Sequence, residues 1–245
     1  MDWLGLVLAG LSAVLLVVLP RIRRGSPAKL RTIPGLTRLY RAFGLSVEDG
    51  SRLLLALGGP SLLTRNGGSA LAGLALLREV SQKASVSDRP PVAVAGDSAL
   101  ALLAQDTLHA GYREVGAAEY YQPVTGRLVG LTAFSSTAAT MPILDDEQVS
   151  VAALIGHFGV EAGLLSEAAE RSNVLLTGAT GDPAGQAVLY ATASEALIGE
   201  ELFAAPAYFS GRPIPAAGLA VQDALRWLVI IGLLSAVVLR VLGIL

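Results

Sequence analysis

Two long apolar segments lie at the ends of this chain, and short apolar segments alternate with helical patterns between them. Residues 3–19 carry no charge, and as a helix they rise about 25 Å, near the lower limit for crossing a bilayer. A second long apolar segment covers residues 227–245. The pattern predicts two transmembrane helices, within residues 1–20 and 216–245, that flank one internal domain at residues 46–215.

The charges around the first apolar segment indicate its orientation. Asp2 precedes the segment, and Arg21, Arg23 and Arg24 follow it, which is the reverse of a cleavable signal peptide. Because Lys and Arg are retained on the cytoplasmic side of a membrane, this order places the N-terminus outside. We therefore expect two membrane spans, with both termini outside and the internal domain in the cytoplasm.

The internal domain reads as strands alternating with helices. Predicted strands cover residues 53–57, 92–95, 128–134, 149–155, 174–176 and 187–192. Predicted helices cover residues 36–43, 69–83, 99–114, a segment ending near residue 171, and 194–203. Strands that are apolar along their whole length are typical of parallel sheets covered on both faces. The predicted fold class is α/β, a mostly parallel sheet with helices on both faces.

Charge is distributed unevenly between the basic segment (residues 21–45) and the rest of the chain. Seven basic residues and no acidic one occur between residues 21 and 41, whereas residues 42–245 have a net charge of −8. The residues predicted to meet the membrane surface are Arg21, Arg23, Arg24, Lys29 and Arg31. Such a segment suits anionic lipid headgroups. Nucleic acid is the rival partner, but the acidic domain would repel phosphate, so no nucleic-acid binding is expected.

The internal domain is poor in charge and lacks cysteine. It has 18 acidic and 9 basic residues between positions 46 and 215, well below the usual content of about 25%. An uncharged surface commonly marks an interface, which favours a homo-oligomer. The alternative is a surface rich in Gly, Ala, Ser and Thr. Without cysteine, disulfides and thiolate metal sites are excluded.

Both apolar segments contain features that bear on helix packing. Small residues recur at four-residue spacing, which permits close contact between membrane helices: Gly5, Ala9 and Ala13, and then Gly232 and Ala236. Chance is the alternative explanation in so Ala- and Gly-rich a sequence. Arg240 lies five residues from the C-terminus, where it either snorkels to the interface or pairs with the terminal carboxylate. A pore or ligand role is the other interpretation.

Polar and glycine residues follow several predicted strands. In open α/β sheets, ligands bind in the crevice beyond the carboxyl ends of the strands. The residues predicted to share such a crevice are Asp97, Ser98, Ser135, Gly156, Gly181 and Asp182. The alternative for the two aspartates is a local role, because Asp is also a common helix N-cap.

Other candidate chemistry is incomplete. Residues 178–185 are rich in glycine, but they lack the GxGxxG order, and no P-loop motif occurs, so no cofactor is expected. His157 and Glu161 have the i, i+4 spacing of helical metal ligands without an evident third ligand, so no metal site is expected. Residues 145–147 are acidic and suit either Mg²⁺ or an exposed loop. No complete catalytic set is present.

Several stretches together resemble an uncharacterised family of bacterial membrane-anchored proteins with a domain of unknown function. These stretches are IPGL at 33–36, GLSVEDGSRL at 44–53, PPVAVAGD at 90–97, GHFGVE at 156–161, ATASEALIGEELFAAPAYF at 191–209 and LAVQDALRW at 219–227. The resemblance implies the same architecture in a bacterial inner membrane and supplies no activity. We expect a membrane-anchored scaffold whose cytoplasmic domain self-assembles. The alternative is a membrane-tethered domain, enzymatic or not, that binds an unidentified small molecule or nucleotide in the crevice.

Overall fold

The computed structural model describes residues 10–15, 17–18, 31–59, 67–85, 87–210 and 213–241. Thr32–Phe209 forms one compact unit, and the remainder of the chain belongs to a second. The first unit, here called the α/β unit, overlaps the predicted internal domain at residues 46–215, but it begins 14 residues earlier and ends six residues earlier.

The α/β unit is built on a six-stranded sheet in which all strand pairs are parallel. The strands are β1 (Arg52–Gly58), β2 (Val92–Ala95), β3 (Gly126–Leu128), β4 (Val149–His157), β5 (Leu175–Thr180) and β6 (Glu195–Leu197). Their order across the sheet is β3-β2-β1-β4-β5-β6, as in doubly wound dinucleotide-binding domains. The predicted α/β class is therefore confirmed.

Helices cover both faces of this sheet. They are α1 (Pro34–Glu48), α2 (Gly67–Ala84), α3 (Ser98–Glu114), α4 (Ala133–Asp146), α5 (Ala162–Arg171), α6 (Pro183–Thr192) and α7 (Glu201–Ser210). Leu54 and Ala56 of β1 share one hydrophobic core with residues of α4, α5 and α6. The side chain of Leu57 instead meets Gly73 of α2. Because successive strand residues point to opposite faces, α2 covers the other face.

The burial of the central strands explains why these strands could be predicted from the sequence. All four residues of β2 are buried, as are six of the seven in β1 and seven of the nine in β4. Because helices cover both faces of the sheet, consecutive residues of these strands are buried and do not alternate between polar and apolar. The strands therefore appear in the sequence as continuous apolar segments.

Two predicted strands are wrong. The strand predicted at 128–134 ends at Leu128, because a capping box between Thr132 and Ser135 begins α4 at Ala133. The strand predicted at 187–192 is helical, because Asp182 caps α6 and Pro183 occupies its first turn. The edge strand β6 follows this helix and was not predicted.

An aromatic cluster joins α1, α2 and α7. The Phe209 ring of α7 meets Tyr40 edge-on at 5.3 Å between centroids and lies 6.1 Å from Phe43. Lys83 of α2 lies 4.3 Å from the Tyr40 ring centroid. The helix predicted at 36–43 is thus confirmed within α1.

The second unit contains α8 (Pro213–Val241). Among the described residues, α8 is the one helix that is long and apolar enough to cross a membrane, by length and composition, over Gly218–Val238. It covers most of the second predicted span. Gly232, Ala236 and Arg240 of α8 are exposed.

The structure does not support the first predicted span. Within residues 1–20 it describes only 10–15 and 17–18, which are helical, with Ala13 exposed. Gly5 and Ala9 lie outside the described residues. The predicted membrane-surface residues Arg21, Arg23, Arg24 and Lys29 also lie outside them, whereas Arg31 is described and exposed.

Candidate functional site

A cavity of about 310 Å³ lies at the carboxyl edge of the sheet and is here called the crevice. Its lining residues come from the end of β4 and from the segments that follow five strands: Gly59, Gly96, Leu131, Thr132, Ala133, His157, Gly159, Glu161 and Asp182. The strands β1 and β4 are neighbours at its centre, where the strand order reverses. This reversal is the topological switch point at which open α/β sheets bind ligands.

The polar groups of the crevice are fixed by short hydrogen bonds within their own loops. Glu161 is buried, and its Oε1 accepts a hydrogen bond from the Gly159 N–H at 2.7 Å. Asp182 caps α6, with Oδ2 accepting from the Gly185 N–H at 2.9 Å. His157 is the last residue of β4.

Thr180 joins the ends of β4 and β5 beneath the crevice. Its buried hydroxyl donates to the Phe158 carbonyl at 2.8 Å and accepts from the Phe158 N–H at 2.9 Å. The Asp182 N–H also donates to this hydroxyl, at 3.2 Å. These hydrogen bonds connect the loop that carries Glu161 to the turn that carries Asp182.

The structure gives packing roles to two glycines of the glycine-rich residues 178–185. Gly178 lies inside β5, where an added Cβ would come within 2.6 Å of Leu189, so this glycine permits close packing of α6 on the sheet. Gly185 lies inside α6, against the carbonyl oxygen of Phe158. The segment is strand, turn and helix, and its only loop residues are Gly181 and Asp182.

Of the six residues predicted to share the crevice, Asp182 lines it and the other five do not. Asp97 caps α3, with Oδ2 accepting from the Leu100 N–H at 3.0 Å, and Gly96 rather than Asp97 lines the cavity. Ser98 is an exposed residue of the first turn of α3. Both aspartates thus have the N-cap role that was the alternative interpretation.

The remaining three predicted residues have local roles. Ser135 completes the capping box with Thr132, which itself lines the crevice. Gly156 is buried within β4 and pairs with Thr180 of β5. Gly181 is exposed, and its N–H donates to the Gly156 carbonyl at 3.2 Å.

The crevice contains acidic groups and one imidazole. Its lining within the described chain includes Glu161, Asp182 and His157, and no Lys or Arg. His157 lies in a strand, so its spacing to Glu161 is not the helical ligand spacing considered above. The described residues contain no group of three His, Cys, Asp or Glu side chains that could hold a metal ion.

The acidic residues 145–147 lie elsewhere and have a structural role. Asp145 and Asp146 end α4, and the Glu147 carboxylate bridges Arg52 and Arg127, the latter at 2.6 Å. These ion pairs connect α4 to β1 and β3. The Mg²⁺ interpretation therefore has no support here.

Two tyrosines have shifted pKa values, and neither lines the crevice. Burial raises the pKa of Tyr112 in α3 to about 12. Burial, together with the Asp106 carboxylate, raises the pKa of Tyr121. Their rings lie 6.1 Å apart, where they pack α3 against the segment that leads to β3.

Sequence reasoning missed Leu131, Thr132 and Ala133 as lining residues. They fall within the stretch interpreted as a strand, although Thr132 followed three residues later by Ser135 is a readable helix-start signal. Gly159 was passed over as part of a turn.

Comparison with known proteins agrees with the resemblance in the sequence. A family model described as a domain of unknown function (DUF6754) matches residues 2–245. No curated protein and no solved structure matches the chain. Because the match covers nearly every residue, the chain belongs to the DUF6754 family.

Proposed function

We propose that this protein is a membrane-tethered domain that binds a small molecule in the crevice. The observation that carries the proposal is the position of the cavity, at the strand-order reversal between β1 and β4. Its volume of about 310 Å³ lies at the lower end of the range of small-molecule sites. The lining carboxylates of Glu161 and Asp182 accept hydrogen bonds from backbone N–H groups of their own segments, and we propose binding rather than catalysis.

The hydrogen bonds that hold the polar groups of the crevice support the proposal. Glu161 and Asp182 are each held by a backbone N–H, and Thr180 fixes the two loops to each other. Groups fixed before a ligand arrives lose little entropy on binding. This arrangement suits a site that recognises one compact ligand.

The binding proposal predicts that a bulky side chain at Ala133 abolishes ligand stabilisation. Ala133 is exposed, lines the crevice and lies in the first turn of α4, so Ala133→Trp fills the cavity without disturbing the core. The measurement is a thermal-shift screen of a metabolite library on the full chain. A ligand at 100 times its Kd stabilises the wild type by about 2.7 kcal/mol.

The matched control is Ala138→Trp, an exposed position of the same helix outside the crevice lining. Ligands of the crevice stabilise the wild type and Ala138→Trp but not Ala133→Trp. A library without a single stabilising compound, or stabilisation that survives in Ala133→Trp, would contradict the proposal.

The membrane placement forms part of the same proposal. The length and composition of α8 support one span, and the apolar residues 3–19 followed by arginines support a second. In this arrangement the α/β unit lies in the cytoplasm beside the inner membrane, and the basic segment meets anionic headgroups.

A scaffold that assembles through the β3 edge is the second candidate function. The edge strand β3 has three residues, and large apolar side chains are exposed on it at Leu128 and near it in sequence at Tyr120 and Val124. An edge strand with exposed apolar side chains favours pairing with another copy. This surface supports the homo-oligomer expected from the low charge of the domain.

The scaffold candidate predicts that Val124→Asp dissociates the oligomer. Val124 is 66% exposed in the single chain, and a buried unpaired charge at an interface is strongly unfavourable. Native mass spectrometry of the detergent-solubilised chain measures the copy number. The control is Tyr190→Asp, which adds the same charge on α6. A wild-type monomer at micromolar concentration would exclude this candidate.

A further inference from the structure

The described walls of the crevice combine two carboxylate acceptors with the Thr132 hydroxyl and the His157 imidazole, which can also donate. The charged side chains of its described lining are the carboxylates of Glu161 and Asp182. Glu161 is 8% exposed, so protein atoms rather than water surround most of its side chain. A ligand that approaches these groups is attracted when it carries a positive charge and hydrogen-bond donors, and repelled when it is an anion.

Seven backbone N–H groups at the carboxyl edge, which would otherwise attract an anion, already donate within the protein. These bonds are Gly96 to the Gly58 carbonyl, Phe158 and Asp182 to Thr180 Oγ1, Gly159 to Glu161, Gly181 to the Gly156 carbonyl, Gly185 to Asp182 and Ser135 to Thr132. Phosphate-binding turns need such groups to point at the ligand. A carboxylate already occupies the N-terminus of α6, where a phosphate would otherwise be stabilised.

Three exposed apolar side chains, here called the rim, belong to the chain segments that line the crevice: Leu131, Phe134 and Val160. Leu131 lines the cavity itself. Phe134 follows the lining residue Ala133 along the chain, and Val160 lies between the lining residues Gly159 and Glu161. Their exposed fractions are 72%, 60% and 56%. An apolar group that extends from the crevice would cover Leu131.

We infer that the ligand of the crevice is an amine with an apolar substituent, bound with its ammonium group between Glu161 and Asp182 and its apolar part against the rim. The inference rests on the proposed binding function and names the class of its ligand. An ammonium group supplies the donors that the carboxylates can accept. The apolar part gains from covering the rim.

The test compares two probes that differ in the sign of their head group, hexylammonium and hexanoate. Isothermal titration calorimetry is run at neutral pH on the full chain in lipid nanodiscs, with empty nanodiscs as the blank for partition into lipid. Hexylammonium is expected to bind the protein, and hexanoate is not. Equal or tighter binding of hexanoate would overturn the inference.

The carboxylates are tested with substitutions that remove charge and keep shape. Glu161→Gln retains the acceptor for the Gly159 N–H, and Asp182→Asn retains a good N-cap. Each is expected to weaken hexylammonium binding about tenfold, because a hydrogen bond to a charged group is lost. Glu167→Gln, which neutralises an exposed carboxylate of α5 outside the crevice, leaves the affinity unchanged. Affinity that survives both crevice substitutions would overturn the inference.

The rim is tested by shortening the probe. Phe134→Ser is expected to weaken hexylammonium binding about fivefold and to leave methylammonium unaffected, because only the longer probe covers apolar surface. Tyr190→Ser is the control for loss of an exposed apolar side chain elsewhere. Equal effects of Phe134→Ser on both amines would contradict the proposed role of the rim.

Failure of the inference and failure of the proposed function are distinguishable. If an anionic or neutral compound binds and Ala133→Trp blocks it, the binding function stands and the amine assignment falls. If neither the amines nor any library compound binds, both fall.

Discussion

Replacing Phe209 by alanine is expected to lower the free energy of unfolding of the α/β unit by about 3–5 kcal/mol. Phe209 is 1% exposed and is the largest fully buried side chain described. Its ring contacts Tyr40 and Phe43 of α1 from the end of α7. The substitution removes the transfer free energy of the ring and leaves a cavity between helices that β1 and the rest of the sheet hold in place.

The control for this prediction is Phe203→Ala in the same helix. Phe203 is 40% exposed, so its loss is expected to cost about 1 kcal/mol or less. Urea unfolding of the detergent-solubilised chain, followed by near-ultraviolet circular dichroism, measures both variants. Equal midpoints for the two would show that the aromatic cluster does not hold α7 to the domain.

The aromatic cluster also shows where sequence reasoning stops. The apolar positions Leu36, Leu39 and Phe43 predicted a helix, because their spacing is a local property of the chain. Phe209 is equally apolar, but it contacts α1 only because the folded chain brings α7 next to α1. Tertiary contacts of that kind have no local signature.

The sheet separates into strands that could be predicted and strands that could not. The central strands β1, β2 and β4 are covered on both faces, so burial imposes apolar residues at consecutive positions. The edge strands β3 and β6 have three residues each, too few for any pattern. Residues 187–192 looked like a strand because α6 is rich in Ala, Val and Leu, although Asp182 and Pro183 gave a helix-start signal.

Part of the site could also be predicted from the sequence. The rule that ligands bind at carboxyl ends of parallel strands pointed to the turn containing Asp182, which does line the crevice. Strand order could not be derived, so the sequence did not reveal that β1 and β4 are neighbours. Glu161 and His157 were considered as metal ligands because of a helical spacing, which does not apply to a strand residue. They line the crevice because β4 ends there.

Gly156→Ala is expected to destabilise the α/β unit by about 3 kcal/mol, because the added methyl group has no space. Gly156 lies in β4 beside β1, and a Cβ there would be 1.9 Å from the Leu57 carbonyl oxygen and 2.6 Å from its carbonyl carbon. Backbone atoms at the centre of a sheet cannot move aside as a flexible side chain can. The strands must separate, or the hydrogen bonds between them must break.

Gly181→Ala provides the matched control, since Gly181 also follows a strand at the carboxyl edge. Its Cβ would lie 3.4 Å from Ser69, which is ordinary contact, and the residue is exposed. We expect its free energy of unfolding to stay within about 0.5 kcal/mol of the wild type. Both glycines were candidate ligand residues, so ligand binding is measured beside urea unfolding. A stable Gly156→Ala variant with impaired binding would assign Gly156 to the site, whereas a destabilised one assigns it to the packing of β4 against β1.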